Sequence, residues 1–146
     1  MAGYNPYSTD EVMSGLQQKM GKTLKKMKQL SGIVGGLKKE GVEWMALMAI
    51  RGLAKELKIN QEQLIKDIKM VVNNPLDIKN IKDPIFEVQM IAVMENPDSI
   101  QYIENPTDRV QFQAVNLKKD TRRFIKNPAD VIKRLDDISI NFHEVG

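Results

Sequence analysis

The sequence predicts an all-α fold, and three observations predict it. The first is a 22-residue self-similarity in the second half of the chain. Asn74-Pro75 recurs as Asn96-Pro97, and Ile81, Ile103 and Ile125 keep the spacing, as do Pro84, Pro106 and Pro128, and Val88, Val110 and Ile132. Nine of the 22 positions in window 72–93 are identical in window 94–115. A fixed period of this length marks stacked structural units. The second observation is apolar spacing: Ile78 and Ile81 are three apart, as are Ile100 and Ile103, while Val88, Ile91 and Ala92 share one helical face. The third is composition. The chain is 42% hydrophobic but only 5% aromatic, with nine Met, and a core of Leu, Ile, Val and Met suits thin helices better than a β-sandwich.

The elements follow in order. Ser8 and Glu11 form a capping box that predicts a helix start near Thr9. Val12, Met13, Leu16, Met20, Leu24, Met27 and Leu30 then fall within an arc of roughly 120° at helical spacing. Lys19, Lys22, Lys25, Lys26 and Lys28 lie on the other side, so residues 1–41 read as a basic amphipathic arm. Gly32, Gly35 and Gly36 predict a hinge over Ser31–Gly36, leaving the arm separable from the body. Val42–Leu57 reads as a helix apolar almost all round at Trp44–Ile50, and therefore central to the core. Asn60 with Gln63 caps a third helix carrying Leu64, Ile65, Ile68, Val71 and Val72. The helical domain is expected over 42–137, with repeats at 72–93, 94–115 and 116–135.

Within the repeats, Asn or Asp followed by Pro is a helix-start signal. The side-chain oxygen caps, and Pro at the first helical position has its φ preset and needs no donor. The signal stands at Asn74-Pro75, Asp83-Pro84, Asn96-Pro97, Asn105-Pro106 and Asn127-Pro128, with Asp120 as a cap lacking the proline. It predicts short helices over 75–81, 97–103 and 121–126, and longer ones over 84–94, 106–117 and 128–136. Helices this short are unstable alone and must bury a face on their neighbours. Ile138, Ile140 and Phe142 alternate with polar residues, which predicts an extended tail over 138–146.

The units IKNIKDPIFEVQMIAV, IQYIENPTDRVQFQAV and TRRFIKNPADVIKRL resemble the short HEAT-like α-helical repeats found in some phage and large-virus proteins. The resemblance covers residues 72–135. It implies an α-solenoid that serves as a protein-binding surface, and it carries no site motif that transfers residue by residue. In the third unit Arg122 replaces the first Ile and the Gln-x-x-Ala-Val ending is lost, as befits a terminal cap.

Composition bounds the chemistry. At 146 residues the chain has one domain's worth of core. It holds no Cys and one His, His143, which excludes a disulfide framework and the usual zinc sets. The carboxylates show no calcium-loop spacing, and Gly32–Gly36 lacks the Lys-Ser/Thr of a phosphate loop. No catalytic residue, metal ligand or cofactor site is therefore expected. The longest apolar run, Trp44–Ile50, has seven residues, far short of the ~20 that span a membrane. Met1–Asp10 is polar and reads as no secretory signal, so a cytoplasmic setting is expected or, as the resemblance to phage and large-virus repeats implies, a virion.

Net charge is +3, but residues 1–41 alone hold +4 and the rest −1. Such asymmetry suggests an arm for an acidic partner, a nucleic acid or a membrane surface. The arm has seven Lys and no Arg, and lysine is a poor reader of bases. The expected reading is a non-enzymatic structural or adaptor subunit of a larger assembly. Leu16, Met20, Leu24 and Met27, with Lys19, Lys22, Lys25 and Lys28, would meet other protein chains. Weak nucleic-acid contact through Lys118, Lys119, Arg122, Arg123 and Lys126 is the second reading, and association with a membrane interface the third.

Overall fold

The computed structural model describes the backbone of residues 9–134 and the side chains of residues 21–134. The expected tail, with His143, and the Ser8 cap lie outside them. Every regular element within the described residues is helical. α1 spans Thr9–Lys38, α2 Glu43–Leu57, α3 Gln61–Asn73, α4 Phe86–Glu95 and α5 Asp108–Leu117. Three short 3₁₀ helices, Pro75–Asn80, Pro97–Tyr102 and Lys119–Phe124, follow α3, α4 and α5 in turn. A further helical turn occupies residues 130–134.

The expected hinge is absent: α1 runs unbroken through Ser31–Gly36 to Lys38. Each Gly in a helix costs about 1 kcal/mol relative to Ala. Against that, Leu30, Ile33 and Val34 are all buried in the core, at about 1.5–3 kcal/mol each. Burial wins, and the C-terminal half of the expected arm is part of the body. Gly36 has its own reason. A Cβ there would stand 2.9 Å from the Ala46 Cβ, so its missing side chain lets α1 and α2 approach. The reversal between these two helices comes instead at Gly41, with φ +86°.

The 22-residue period reappears in the backbone. The residue joining each α-helix to its 3₁₀ helix is Asn74 (φ −147°, ψ 101°), Asn96 (−153°, 105°) and Lys118 (−152°, 105°). The residue ending each 3₁₀ helix is Ile81, Ile103 and Ile125, again in one extended conformation. Asn74 and Asn96 cap as expected: Oδ1 accepts the N–H of Leu76 at 3.3 Å and of Asp98 at 3.0 Å, with Pro at the first position. At the third junction the cap is Lys118, which has no acceptor, and not Asp120.

The second proline of each unit does not begin a helix. α4 starts after Ile85, and α5 starts after Thr107, whose Oγ1 accepts the N–H of Val110 at 3.3 Å. Pro84 and Pro106 instead lie in the non-helical linkers, where their carbonyls take a different partner. Gln89 Nε2 donates to the Pro84 carbonyl at 2.9 Å, while its Oε1 accepts the N–H of Thr107, one unit further on, at 3.2 Å. Gln111 repeats both bonds, to Pro106 at 3.0 Å and from Ala129 at 2.8 Å.

The centre of the core is α4, not α2. Residues Glu87 to Val93 are all buried, because α4 lies between α3 and α5, with α1 across it and 3₁₀ helices beside it. Ion pairs join Lys26 to Glu87 at 3.3 Å and Lys38 to Glu95, so α1 and α4 run in the same direction. α2 packs chiefly on α1 and α3. It buries Ala46, Ile50, Leu53 and Ala54 and leaves its remaining face outward. Its end is a left-handed Lys58 (φ 57°), with Ile59 N–H returning to the Ala54 carbonyl at 3.0 Å. Asn60 then caps α3 by accepting the N–H of Gln63 at 2.9 Å, as expected.

Candidate partner-docking face

α1 and α2 form an antiparallel pair whose inner surfaces meet at Gly36 and Ala46. Residues 43, 47, 50 and 54 of α2 recur at helical spacing toward α3, where Glu43 pairs with Lys69 at 3.2 Å. The opposite side of the first two turns has no neighbour among the described residues. There Trp44 is 60% exposed, Met45 55% and Met48 59%. Met45 alone of the three also borders a groove of about 380 Å³ between the two helices, lined besides by Gln29, Gly32, Gly36, Val42 and Ala49 among others.

Basic side chains edge this surface. Lys25 lies one helical turn from Gln29, Lys28 one turn from Gly32, and Arg51 and Lys55 follow Met48 on α2. All four are exposed. The acidic residues near it are Glu40, in the turn, and Glu56, one turn beyond Gly52. Lys25 and Lys28 thus stand on the α1 side of the groove, and Arg51 and Lys55 share the Trp44–Met48 side of α2.

The sequence-derived stripe divides. Leu24 is 60% exposed, Met27 packs against the core, and the side chains of Leu16, Lys19 and Met20 lie outside the described residues. The face of α1 that meets the body is Thr23, Lys26, Met27, Leu30, Ile33, Val34 and Leu37, rotated from the predicted arc. Lys22, Lys25 and Lys28 are exposed as expected. Lys26 is not, since it is committed to Glu87.

The expected phosphate-contacting set also separates. Lys118 Nζ pairs with Asp98 of the preceding unit at 3.0 Å, and Lys119 lies beside it in sequence, exposed at the start of the third 3₁₀ helix. Arg122 is half-buried and engaged. Arg123 lies over the Phe124 ring at 4.8 Å, and Lys126 is exposed beyond it. A second groove, of about 540 Å³, lies at the unit junction between Lys79, Lys82, Asp83, Tyr102 and Glu104. Its two lysines and two carboxylates cancel.

Sequence reasoning missed Trp44, Met45 and Met48 as surface residues, because an apolar run reads as core. The available signal was position: α2 heads the row α2–α3–α4–α5, so its main contacts are on the sides toward α1 and α3. Among the described residues no helix is long and apolar enough to cross a membrane, and no three His, Asp or Glu side chains converge as metal ligands. No protein-family model, curated protein or solved structure matches the chain.

Proposed function

We propose that this protein is a non-enzymatic structural or adaptor subunit that docks other protein chains through the outer face of the α1–α2 pair. The observation that carries the reading is the adjacent exposure of Trp44, Met45 and Met48 within the first two turns of α2. Clustered large apolar side chains rimmed by polar residues mark interaction sites, and Trp and Met are favoured at interface cores. Behind this face the three helix–3₁₀ units form a short α-solenoid. The recurring junction dihedrals and the paired Gln89 and Gln111 bonds support that arrangement. The solenoid acts as a rigid support, and the setting proposed is cytoplasmic or virion.

The experiment is assembly of the full chain carrying Met48→Glu, measured by co-sedimentation with its native complex. Met48 is outside the core, so the variant should fold with an unchanged circular-dichroism spectrum. Exclusion from the complex supports the reading. Incorporation at wild-type affinity overturns it.

A second reading has one observation in its favour. Lys79 lies 5.7 Å from the Tyr102 ring centroid, and Phe124, 22 residues on from Tyr102, has Arg123 over its ring at 4.8 Å. Cations interleaved with aromatics suit weak, sequence-independent contact with single-stranded nucleic acid. Such binding would fall steeply with salt.

A further inference from the structure

We infer that the chain's own residues 135–146 dock on the outer side of α5, at the place that α1 takes on α4. This contact is separate from the α1–α2 docking face. The 22-residue period lets α5 be compared with α4 position by position. Glu87, Ile91, Met94 and Glu95 recur at helical spacing on the side of α4 toward α1, where Glu87 pairs with Lys26 and Glu95 with Lys38. Their counterparts are Arg109, Gln113, Asn116 and Leu117. α1 packs on α2, α3 and α4, whereas α5 packs chiefly on α4 and the neighbouring 3₁₀ helices. The equivalent side of α5 is therefore open. Glu87 is buried, but Arg109 and Asn116 are exposed and Leu117 is 48% exposed. Phe112, the counterpart of the fully buried Met90, is only half-buried.

Charge names the occupant. α1 is basic and meets two acids on α4. On α5 the first of these acids is replaced by Arg109 and the second by Leu117. A basic helix, such as α1 of a second copy, is thereby disfavoured, and an acidic segment with apolar residues is favoured. Residues 135–146 have that composition: Asp136, Asp137 and Glu144 with no Lys or Arg, and Ile138, Ile140 and Phe142. The surface they would meet is positive, since residues 108–134 hold eight Lys and Arg against three Asp. Reach is the last requirement. The third unit is fastened beside α5 by the Ala129 N–H on Gln111 Oε1 at 2.8 Å, and Ile132 is buried there. Packed helices lie about 8–10 Å apart, and the twelve residues after Arg134 can span at most about 40 Å. Docked in this way, the tail closes the α5 end of the row and leaves the α2 end open.

The chain has no cysteine, so an introduced pair reports its own contact. The test oxidises the full chain carrying Asn116→Cys with Asn141→Cys and follows the intramolecular disulfide by gel mobility. The control pair is Lys126→Cys with Asn141→Cys. Lys126 is also exposed and is nearer to the tail in sequence, so simple proximity along the chain favours the control. The expected result is closure of the α5 pair about tenfold or more faster than the control. Adding Arg109→Glu or Leu117→Asp should slow it about threefold or more. Both positions are exposed, so each variant should keep its circular-dichroism spectrum, and if one fails to fold the other decides. Equal rates for the two pairs, or a rate indifferent to Arg109→Glu and Leu117→Asp, overturns the inference. Disulfide-linked dimers as the main product would give the site to a second copy and overturn it too. So would the absence of any disulfide, which would leave the outer side of α5 to a different partner.

Discussion

Gln89 reaches across a unit boundary to Thr107: its amide oxygen accepts the Thr107 N–H at 3.2 Å while its amide nitrogen holds the Pro84 carbonyl at 2.9 Å. Gln111 makes the same two bonds 22 residues later. Each buried glutamine thus ties the linker of its own unit to the linker of the next. At the next position the residue is Lys133, which has no amide to make this pair of bonds. Replacing Gln89 by Met keeps most of the volume and removes both bonds. The Thr107 N–H and the Pro84 carbonyl then lack partners, at about 1–3 kcal/mol for each such group that stays buried. Gln89→Met should therefore lower unfolding free energy by roughly 2 kcal/mol in urea denaturation. A change under about 0.5 kcal/mol, the range of neutral surface substitutions, would show that the bonds are dispensable.

The glycines of α1 separate by position. A Cβ at Gly35 meets nothing within 4 Å, whereas one at Gly36 meets Ala46 at 2.9 Å. Gly35→Ala should stabilise by up to about 1 kcal/mol, through helix propensity. Gly36→Ala should destabilise by about 1–3 kcal/mol, through overpacking between α1 and α2. Thermal melts of the two variants check this. Two shifts of the same sign would contradict the packing described.

Of the two ion pairs between α1 and α4, Lys26–Glu87 is the more enclosed, the Glu87 side chain being 8% exposed. Removing one partner strands the other charge, which is costlier than removing both. Lys26→Met alone should cost about 2 kcal/mol or more, while Lys26→Met with Glu87→Met should recover most of it. A double-mutant cycle with no coupling would place this contact among surface pairs of no consequence.

Much of the helical body was legible in the sequence, and the reasons are local. Asn74-Pro75 and Asn96-Pro97 announce helix starts because their capping geometry is complete within three residues. Asn105-Pro106 misleads because the cap falls to Thr107, whose hydroxyl reaches Val110 while Pro106 turns its carbonyl to Gln111. The glycine stretch of α1 misleads for another reason: its helix is held by contacts to α2, α3 and α4, far away in sequence. The docking face was half legible. Lys25 and Lys28 were marked by charge, but Trp44 and Met48 were assigned to the core, because hydropathy does not show which helix stands at the end of a row.

The deletion of residues 1–36 follows from the same contacts. It removes Leu30, Ile33 and Val34 from the core and strands Glu87. The truncated chain should lose cooperative unfolding, followed by circular dichroism against urea. A sharp transition with wild-type midpoint would restore the picture of a separable arm.

The central claim is that the outer face of α1 and α2 is covered when the protein is at work. Hydroxyl-radical footprinting of the full chain, free and within its native complex, tests this most directly. Met45, Met48 and Trp44 are each more than half exposed in the free chain, and methionine and tryptophan report sensitively. All three should oxidise readily in the free protein and be strongly protected in the complex, while Leu117, at the end of α5 and 48% exposed, keeps its rate. Equal oxidation of Met45 and Met48 in both states would contradict the account.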